Sequence, residues 1–292
     1  MRADPKDYEL VAPSSLQAVA ALMAREPGEW LPIAGGTDVM VLYAAGKLTA
    51  RKLISVWDLP ELRRIEVTPE EVRIGAVCTY SDMRRNETIA REFPLLASAA
   101  SWTGGIANQN RGTLGGNIAN ASPAADSLPV LLAYEADLVL YSTRGERRVP
   151  YTEFHLGYKK HALAVDELIR VICLPRKCEG YVSYGRKVGA RNAQAISKVC
   201  IAALGRVTNG TVEDVRIGLG SIAPVPLRLR ETERALIGQK AELALVDVVR
   251  RTVARQIQPI DDIRSTLQYR AAVASNLIAE FVEKLCAGAG RA

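Results

Sequence analysis

The spacing of apolar residues predicts a chain that alternates strands and helices at first and changes character near residue 176. Residues 8–11 read as a short strand. Pro13-Ser14-Ser15 offers a helix cap, and Leu16, Val19, Ala20, Leu22 and Met23 follow at helical spacing. Residues 31–34 read as a buried strand broken by Gly35-Gly36, residues 37–45 as a helix stopped by Gly46, and residues 53–56 as another apolar strand. This alternation predicts a small α/β unit. A second unit follows, with a strand at 72–75, a helix at 95–102, a glycine-rich segment at 104–116 and a short buried helix at 128–132. Strands at 137–141 and 147–150 flank the Thr143-Arg144-Gly145 turn, and a strand at 167–174 runs into Pro175. Beyond that break, 198–207 and 211–219 flank Asn209-Gly210, the signature of a tight hairpin. After Pro226 the spacing is helical, in Leu236, Leu243, Val246 and Val249 and again over 271–285. The pattern predicts a first domain over 1–175, with subdomains of about 1–57 and 58–175, and a second over 176–292.

Composition narrows the classes. With 292 residues, 48% of them hydrophobic and 24% charged, the chain has globular composition and enough apolar surface for a core, which excludes disorder as its main state. The net charge of +6 raises nucleic acid as a partner. The basic residues, however, fall in separated pairs such as Arg63-Arg64, Arg84-Arg85, Arg147-Arg148, Lys159-Lys160 and Arg250-Arg251, and aromatic residues make up only 5%, too few for a stacking platform. No nucleic-acid partner is expected. No apolar run approaches the roughly 20 residues of a membrane span. The N-terminal stretch Met1-Arg2-Ala3-Asp4-Pro5-Lys6-Asp7 is charged, so no signal peptide is expected there. Cys78, Cys173, Cys178, Cys200 and Cys286 are scattered and odd in number, which points to reduced thiols and a cytoplasmic location.

Several chemistry-bearing motifs are absent or broken. Gly46-Lys47 is followed by Leu48, so a phosphate loop would lack its metal-binding hydroxyl. Gly218-Leu219-Gly220-Ser221-Ile222-Ala223 fits a loose dinucleotide pattern, but Pro224 and Pro226 oppose a helix there, and it reads as a strand end. His155 and His161 form no zinc motif, and Cys173 with Cys178 is half a metal set. No nucleophile elbow occurs. No catalytic residue and no metal ligand is therefore assigned, and any chemistry must be carried by a cofactor.

Two glycine segments suit a dinucleotide. In the first, Pro32-Ile33-Ala34-Gly35-Gly36-Thr37-Asp38-Val39, a buried strand turns toward a helix, and the glycines clear side chains where a diphosphate would approach amides. Alone, such a turn is equally a tight loop. The second, Arg111-Gly112-Thr113-Leu114-Gly115-Gly116-Asn117 continuing through Ile118-Ala119-Asn120-Ala121-Ser122-Pro123-Ala124-Ala125-Asp126, strings together small residues as a flat ligand against backbone requires. Thr113 and Asn117 could bond ribityl or phosphate oxygens, and Asp126 could accept from hydroxyls or cap the helix at Ser127-Leu128.

Together these segments resemble the FAD-binding medium subunits of molybdenum hydroxylases, the xanthine dehydrogenase and carbon monoxide dehydrogenase group. Further matches are Tyr184-Gly185-Arg186-Lys187-Val188-Gly189 running on to Ala195-Ile196-Ser197-Lys198-Val199, and Asp262-Ile263-Arg264-Ser265 with Tyr269-Arg270. The resemblance spans essentially the whole chain, in order. It implies an α+β fold: a two-subdomain FAD-binding domain of the vanillyl-alcohol-oxidase (PCMH) type, then a C-terminal α+β domain of a small antiparallel sheet plus helices. It places FAD between the subdomains. Residues 32–39 would hold the diphosphate, and Thr113, Leu114, Gly115, Gly116 and Asn117 would form a second loop. Thr103, Asp126, Ile169 and Lys187 match further flavin-contact positions. Thr103 stands where some relatives carry an aromatic residue, and Lys187 is also readable as a surface lysine. The hydroxybenzoyl-CoA reductase branch inserts a cysteine-bearing loop that 117–138 lacks.

The implied function is electron transfer. A large partner subunit would carry the molybdenum cofactor and a small one 2Fe–2S clusters, in a dimer of heterotrimers, and FAD would pass electrons to NAD or another acceptor. Two alternatives stay open: a free-standing FAD-dependent oxidoreductase, and a basic nucleotide- or RNA-binding protein whose binding would fall steeply with salt.

Overall fold

The computed structural model describes residues 4–191 and 194–289; Met1, Arg2 and Ala3 of the charged N-terminal stretch lie outside the described residues. The chain opens with β1 (Glu9–Val11), α1 (Leu16–Arg25), β2 (Trp30–Ile33), α2 (Val39–Ala44) and β3 (Lys52–Ser55). These strands form a parallel sheet in the order β1-β3-β2. Ser15 starts α1, its hydroxyl accepting from the Ala18 N–H at 3.1 Å. The helix buries Leu16, Val19 and Met23 against Ile54 and Val56. In contrast, α2 buries none of its residues, although five of the six are apolar or aromatic side chains larger than alanine.

The next stretch is longer and more helical than its apolar pattern predicts. It runs β4 (Ile65–Val67), β5 (Glu71–Gly75), α3 (Tyr80–Arg85), α4 (Glu87–Glu92), α5 (Pro94–Trp102), α6 (Ile106–Arg111), α7 (Leu114–Asn120) and α8 (Leu128–Ala133). There follow β6 (Asp137–Ser142), β7 (Gly145–Pro150), β8 (His155–Gly157), β9 (Lys160–His161) and β10 (Leu168–Pro175). Five strands pair antiparallel in the order β4-β5-β10-β6-β7, so the last strand in sequence lies at the centre. Helices α3 and α4 escape a periodicity search because each is only six residues long. Their caps were the readable signal: Thr79 and Asp82 form a reciprocal capping box, and Asn86 accepts from the Ile89 N–H at 3.0 Å. The glycine-rich segment at 104–116 is not one loop but holds α6 and the start of α7.

The third part contains β11 (Val182–Val188), β12 (Val199–Thr208), β13 (Thr211–Gly220), β14 (Leu227–Arg228), α9 (Arg230–Leu236), α10 (Leu245–Gln256) and α11 (Leu267–Ala289). Its four strands pair antiparallel in sequence order. Asn209 and Gly210 take φ of +51° and +73°, the left-handed pair a two-residue hairpin needs. Alternation along β12 then covers both faces of the sheet. Val199, Ile201 and Ala203 pack with Phe281, Val282 and Leu285 of α11, while Ala202 and Leu204 join the core of the preceding helices. Gly218 touches that preceding layer directly, because a Cβ there would overlap the Pro129 carbonyl of α8. The Gly-x-Gly of β13 thus ends a strand and seats it on a helix. The whole is an α+β molecule: two subdomains, then a small antiparallel sheet with helices.

Candidate functional site

A cleft of about 370 Å³ opens between the first two subdomains. Pro32 and Ala34 line one wall, Gly115, Gly116 and Ile169 the other, with Val77 and His161 beside them. The two glycine segments, far apart in sequence, are therefore brought together. They also touch. A Cβ on Gly35 would overlap the Arg111 carbonyl, the Arg111 Nε donates to the Gly35 carbonyl at 3.3 Å, and Asn120 Nδ2 donates to Asp38 Oδ2 at 3.0 Å.

The first segment leaves its amides open. Strand β2 ends at Ile33 and Gly36 turns the chain with φ +76°, before α2 begins at Val39. Among the described residues, the backbone N–H groups of Gly35, Gly36, Thr37 and Asp38 have no hydrogen-bond acceptor. Four successive unspent donors at a turn are available to an anion.

The second segment spends them. It was expected as a loop; instead Thr113 is the N-cap of α7. The Leu114 N–H donates to the Cys78 carbonyl at 3.0 Å, Gly115 to the Ala76 carbonyl at 2.9 Å, Gly116 to Thr113 Oγ1 at 3.1 Å and Asn117 to the Thr113 carbonyl at 3.0 Å. Thr113 and Asn117, expected to bond ribityl or phosphate oxygens, each also hold this helix start in place. The Thr113 hydroxyl is buried as a cap, and Asn117 Oδ1 accepts from the Ser127 hydroxyl at 2.5 Å. Small residues are required here chiefly because the helix start packs on a strand end: a Cβ on Gly115 would sit 2.6 Å from the Ala76 carbonyl oxygen. Leu114 is buried in the core beneath, whereas Gly116 is exposed on the cleft side.

A polar cluster adjoins α7. Lys187, on β11, donates to Asp126 Oδ2 at 2.6 Å and to the Trp102 carbonyl at 3.0 Å, and the Ser197 hydroxyl bonds Asp126 Oδ1. The Lys187 side chain is only 13% exposed, so it is not a surface lysine. Burial pushes the Asp126 carboxyl above its ordinary pKa, with Lys187 opposing the shift. Asp126 does not cap α8, whose N-cap is Ser127. The Thr103 hydroxyl donates back to the Ala99 carbonyl at 2.9 Å, leaving its lone pairs free. Tyr80 completes the cluster. Its buried hydroxyl lies beside Ser127 and Thr103 without a hydrogen bond of good geometry, and burial raises its pKa. Tyr80, Ser127 and Ser197 were missed in the sequence; only the Thr79-x-x-Asp82 capping pattern pointed to the first of them.

The β8–β9 hairpin supplies one more group. The His161 Nδ1 is buried without a partner, its ring stacks on Phe154 at 5.6 Å, and it borders the cleft. His155 bonds the Tyr151 hydroxyl at 2.9 Å, and burial with the neighbouring His161 lowers its pKa to about 4. Weighing these histidines only as metal ligands overlooked this placement. Among the described residues, no group of three or more side chains could hold a metal ion. The five cysteines are free, and burial raises the Cys78 thiol to about 12, far from a reactive thiolate. The basic pair Arg147-Arg148 is tied to Glu167, Glu71 and Asp137, so these charges serve internal ion pairs. No helix among the described residues is long and apolar enough to cross a membrane.

Comparison with known proteins finds relatives over nearly the whole chain. Residues 6–177 match the family described as "FAD binding domain in molybdopterin dehydrogenase", and residues 185–285 match the "CO dehydrogenase flavoprotein C-terminal domain". The xanthine dehydrogenase FAD-binding subunit of Escherichia coli O157:H7 is 30% identical over 92% of each chain. The carbon monoxide dehydrogenase medium chain of Hydrogenophaga pseudoflava is 28% identical over 94% of this chain and 95% of its own. A solved structure of carbon monoxide dehydrogenase from Hydrogenophaga pseudoflava, lacking the Mo-pyranopterin moiety of the molybdenum cofactor, superposes with a TM-score of 0.93, at 28% identity over 98% of this chain and 99% of that one.

Proposed function

The chain belongs to the family of FAD-binding domains of molybdopterin dehydrogenases, and from that membership we propose that it binds FAD in the cleft and serves as the electron-transfer subunit of a molybdenum hydroxylase. The observation that carries the reading is the run of four unpartnered N–H groups at Gly35–Asp38, in the turn that directly follows Pro32 and Ala34 of the cleft wall. The buried, unpartnered His161 Nδ1, which borders the cleft, also fits a polar ligand there.

In this reading the domain over 1–175 holds FAD between subdomains of about 1–57 and 58–175, and 176–292 forms the second domain. The amides of residues 35–38 take the diphosphate, with Pro32, Ile33, Ala34 and Val39 framing the turn. Gly115 and Gly116 let the ligand lie against α7, with Thr113 and Leu114 holding that helix in place. Ile169 offers apolar contact, and the free amide side of Asn117, Thr103, Asp126 and Lys187 address the flavin end. FAD, when bound, supplies the redox chemistry. The side chains bind it, orient it and keep water out, and none is assigned a proton transfer. Electrons would arrive from 2Fe–2S clusters of a small subunit, after substrate oxidation at the molybdenum cofactor of a large one. They would leave for NAD or another acceptor. The proposed assembly is a dimer of heterotrimers.

The test is the absorbance spectrum of the purified protein with its two partners, and flavin released on denaturation. About one FAD per chain is expected, in a complex of three different subunits. A colourless protein whose cleft stays empty at saturating FAD would overturn the reading.

A further inference from the structure

The amide cradle has a charge problem. Asp38 brings a carboxylate into the loop that would meet a diphosphate dianion; Lys47, the nearest lysine in sequence, follows the far end of α2, and Lys159 is held one residue away, donating to Asn120 Oδ1 at 2.9 Å while Asn120 Nδ2 bonds Asp38. Like charges brought together in a half-buried cleft oppose binding unless cations offset them. Two arginines stand beside the loop. The Arg111 guanidinium stacks on the Trp57 ring at 3.9 Å and the Arg63 guanidinium on the same ring at 4.3 Å. Arg63 also donates to the Trp57 carbonyl at 3.0 Å, and Arg111 to the Gly35 carbonyl. Among the described residues, neither arginine has a carboxylate within ion-pair distance, whereas Arg144, Arg147, Arg148 and Arg176 all do. The terminal nitrogens of Arg111 have no acceptor among the described residues. Stacking on an aromatic face holds a guanidinium in place at low entropic cost while leaving its edge donors free.

We propose that Arg111, held on Trp57 beside Arg63, is a diphosphate-binding residue that supplies the positive charge the Gly35–Asp38 loop lacks. The proposal rests on the FAD reading above and goes beyond it. That reading needs only backbone amides, whereas this one makes retention of the diphosphate depend on a side chain from the opposite subdomain. Trp57 is then a positioning residue, because it aims the guanidinium without touching the ligand.

The experiment is titration of FAD into the flavin-stripped holoenzyme, read by flavin fluorescence at two ionic strengths, for wild type, Arg111→Gln, Arg111→Lys and Trp57→Leu. At about 0.05 M salt, Arg111→Gln is expected to weaken FAD about tenfold. At about 0.5 M, where the Debye length is only a few ångströms, the difference is expected to shrink to about threefold. Arg111→Lys keeps the charge and is expected to recover most of the low-salt affinity, and Trp57→Leu to follow Arg111→Gln. A wild-type to Arg111→Gln ratio that does not change with salt, or a loss that Arg111→Lys fails to recover, would mean that Arg111 only braces Gly35 and would overturn the proposal. Equal affinities for wild type and Arg111→Gln would do the same while leaving the FAD reading intact. A wild-type protein that binds no FAD would end both.

Discussion

The two glycine segments face each other across one cleft and are built in opposite ways. The Gly35–Asp38 turn keeps four amide donors without partners. The Thr113–Asn117 segment consigns its donors to strand-end carbonyls and its own cap. Glycine therefore serves two ends in one site. In the turn it opens a path to amides; in α7 it lets a helix start press onto Ala76. Similar composition thus conceals a binding element and a bracing element, and only the fate of each N–H tells them apart.

The sharpest way to break this contrast is Gly35→Ala. The added methyl would overlap the Arg111 carbonyl, so the subdomains cannot keep their contact. A stability loss of about 3 kcal/mol or more is expected, together with loss of bound flavin. A variant that melts with the wild type and stays yellow would show that the segments do not meet in this way. Next comes Gly116→Val, on the exposed, cleft-facing side of α7. Its Cβ would lie 2.8 Å from Thr113 Oγ1, so the N-cap suffers by about 1 kcal/mol and flavin content is expected to fall more than tenfold. The double variant with Thr113→Ala separates the effects. It relieves the crowding, so recovery of flavin in the double variant would put the damage in the brace and not in the ligand's path.

The smallest effect concerns pH and only the wall that carries α7. His155, in the hairpin preceding His161, has its pKa lowered from 6.5 to about 4, by burial first and by His161 second. The unfolded chain therefore binds a proton there that the folded chain refuses. Stability from this group is complete above pH 6.5 and is lost as pH falls toward 4. Denaturant melts are expected to show a loss of about 1–2 kcal/mol over that interval, flattened in His155→Gln. An unchanged pH profile in that variant would remove the hairpin from the account.

Much of this was readable in the chain. Strands with strong apolar runs, such as 53–56 and 137–141, and the Asn209-Gly210 hairpin declare themselves because burial and turn chemistry are local. Helices α3 and α4 did not, since six residues are too few for a periodic stripe and their evidence lies in the caps at Thr79 and Asn86. The candidate residues were nameable from motif order, but their duties were not. Thr113 reads as a ligand partner in the sequence, and its capping duty shows only once Gly116 is seen bonded to it. Arg111 looked like a flank of a glycine run, because its stacking partner Trp57 lies in a different subdomain stretch. Lys187 and Asp126 are 61 residues apart, and no local rule joins them.

The position of β10 also bears on how the polypeptide is made. This strand fills the middle of its sheet between β5 and β6, and it carries Ile169 to the cleft. A nascent chain emerging from the ribosome displays both glycine segments long before that strand appears, with two sheet edges open in the meantime. Cofactor loading must therefore wait until synthesis has passed Pro175, and a message truncated before Leu168 would yield a sticky fragment with nothing to hold.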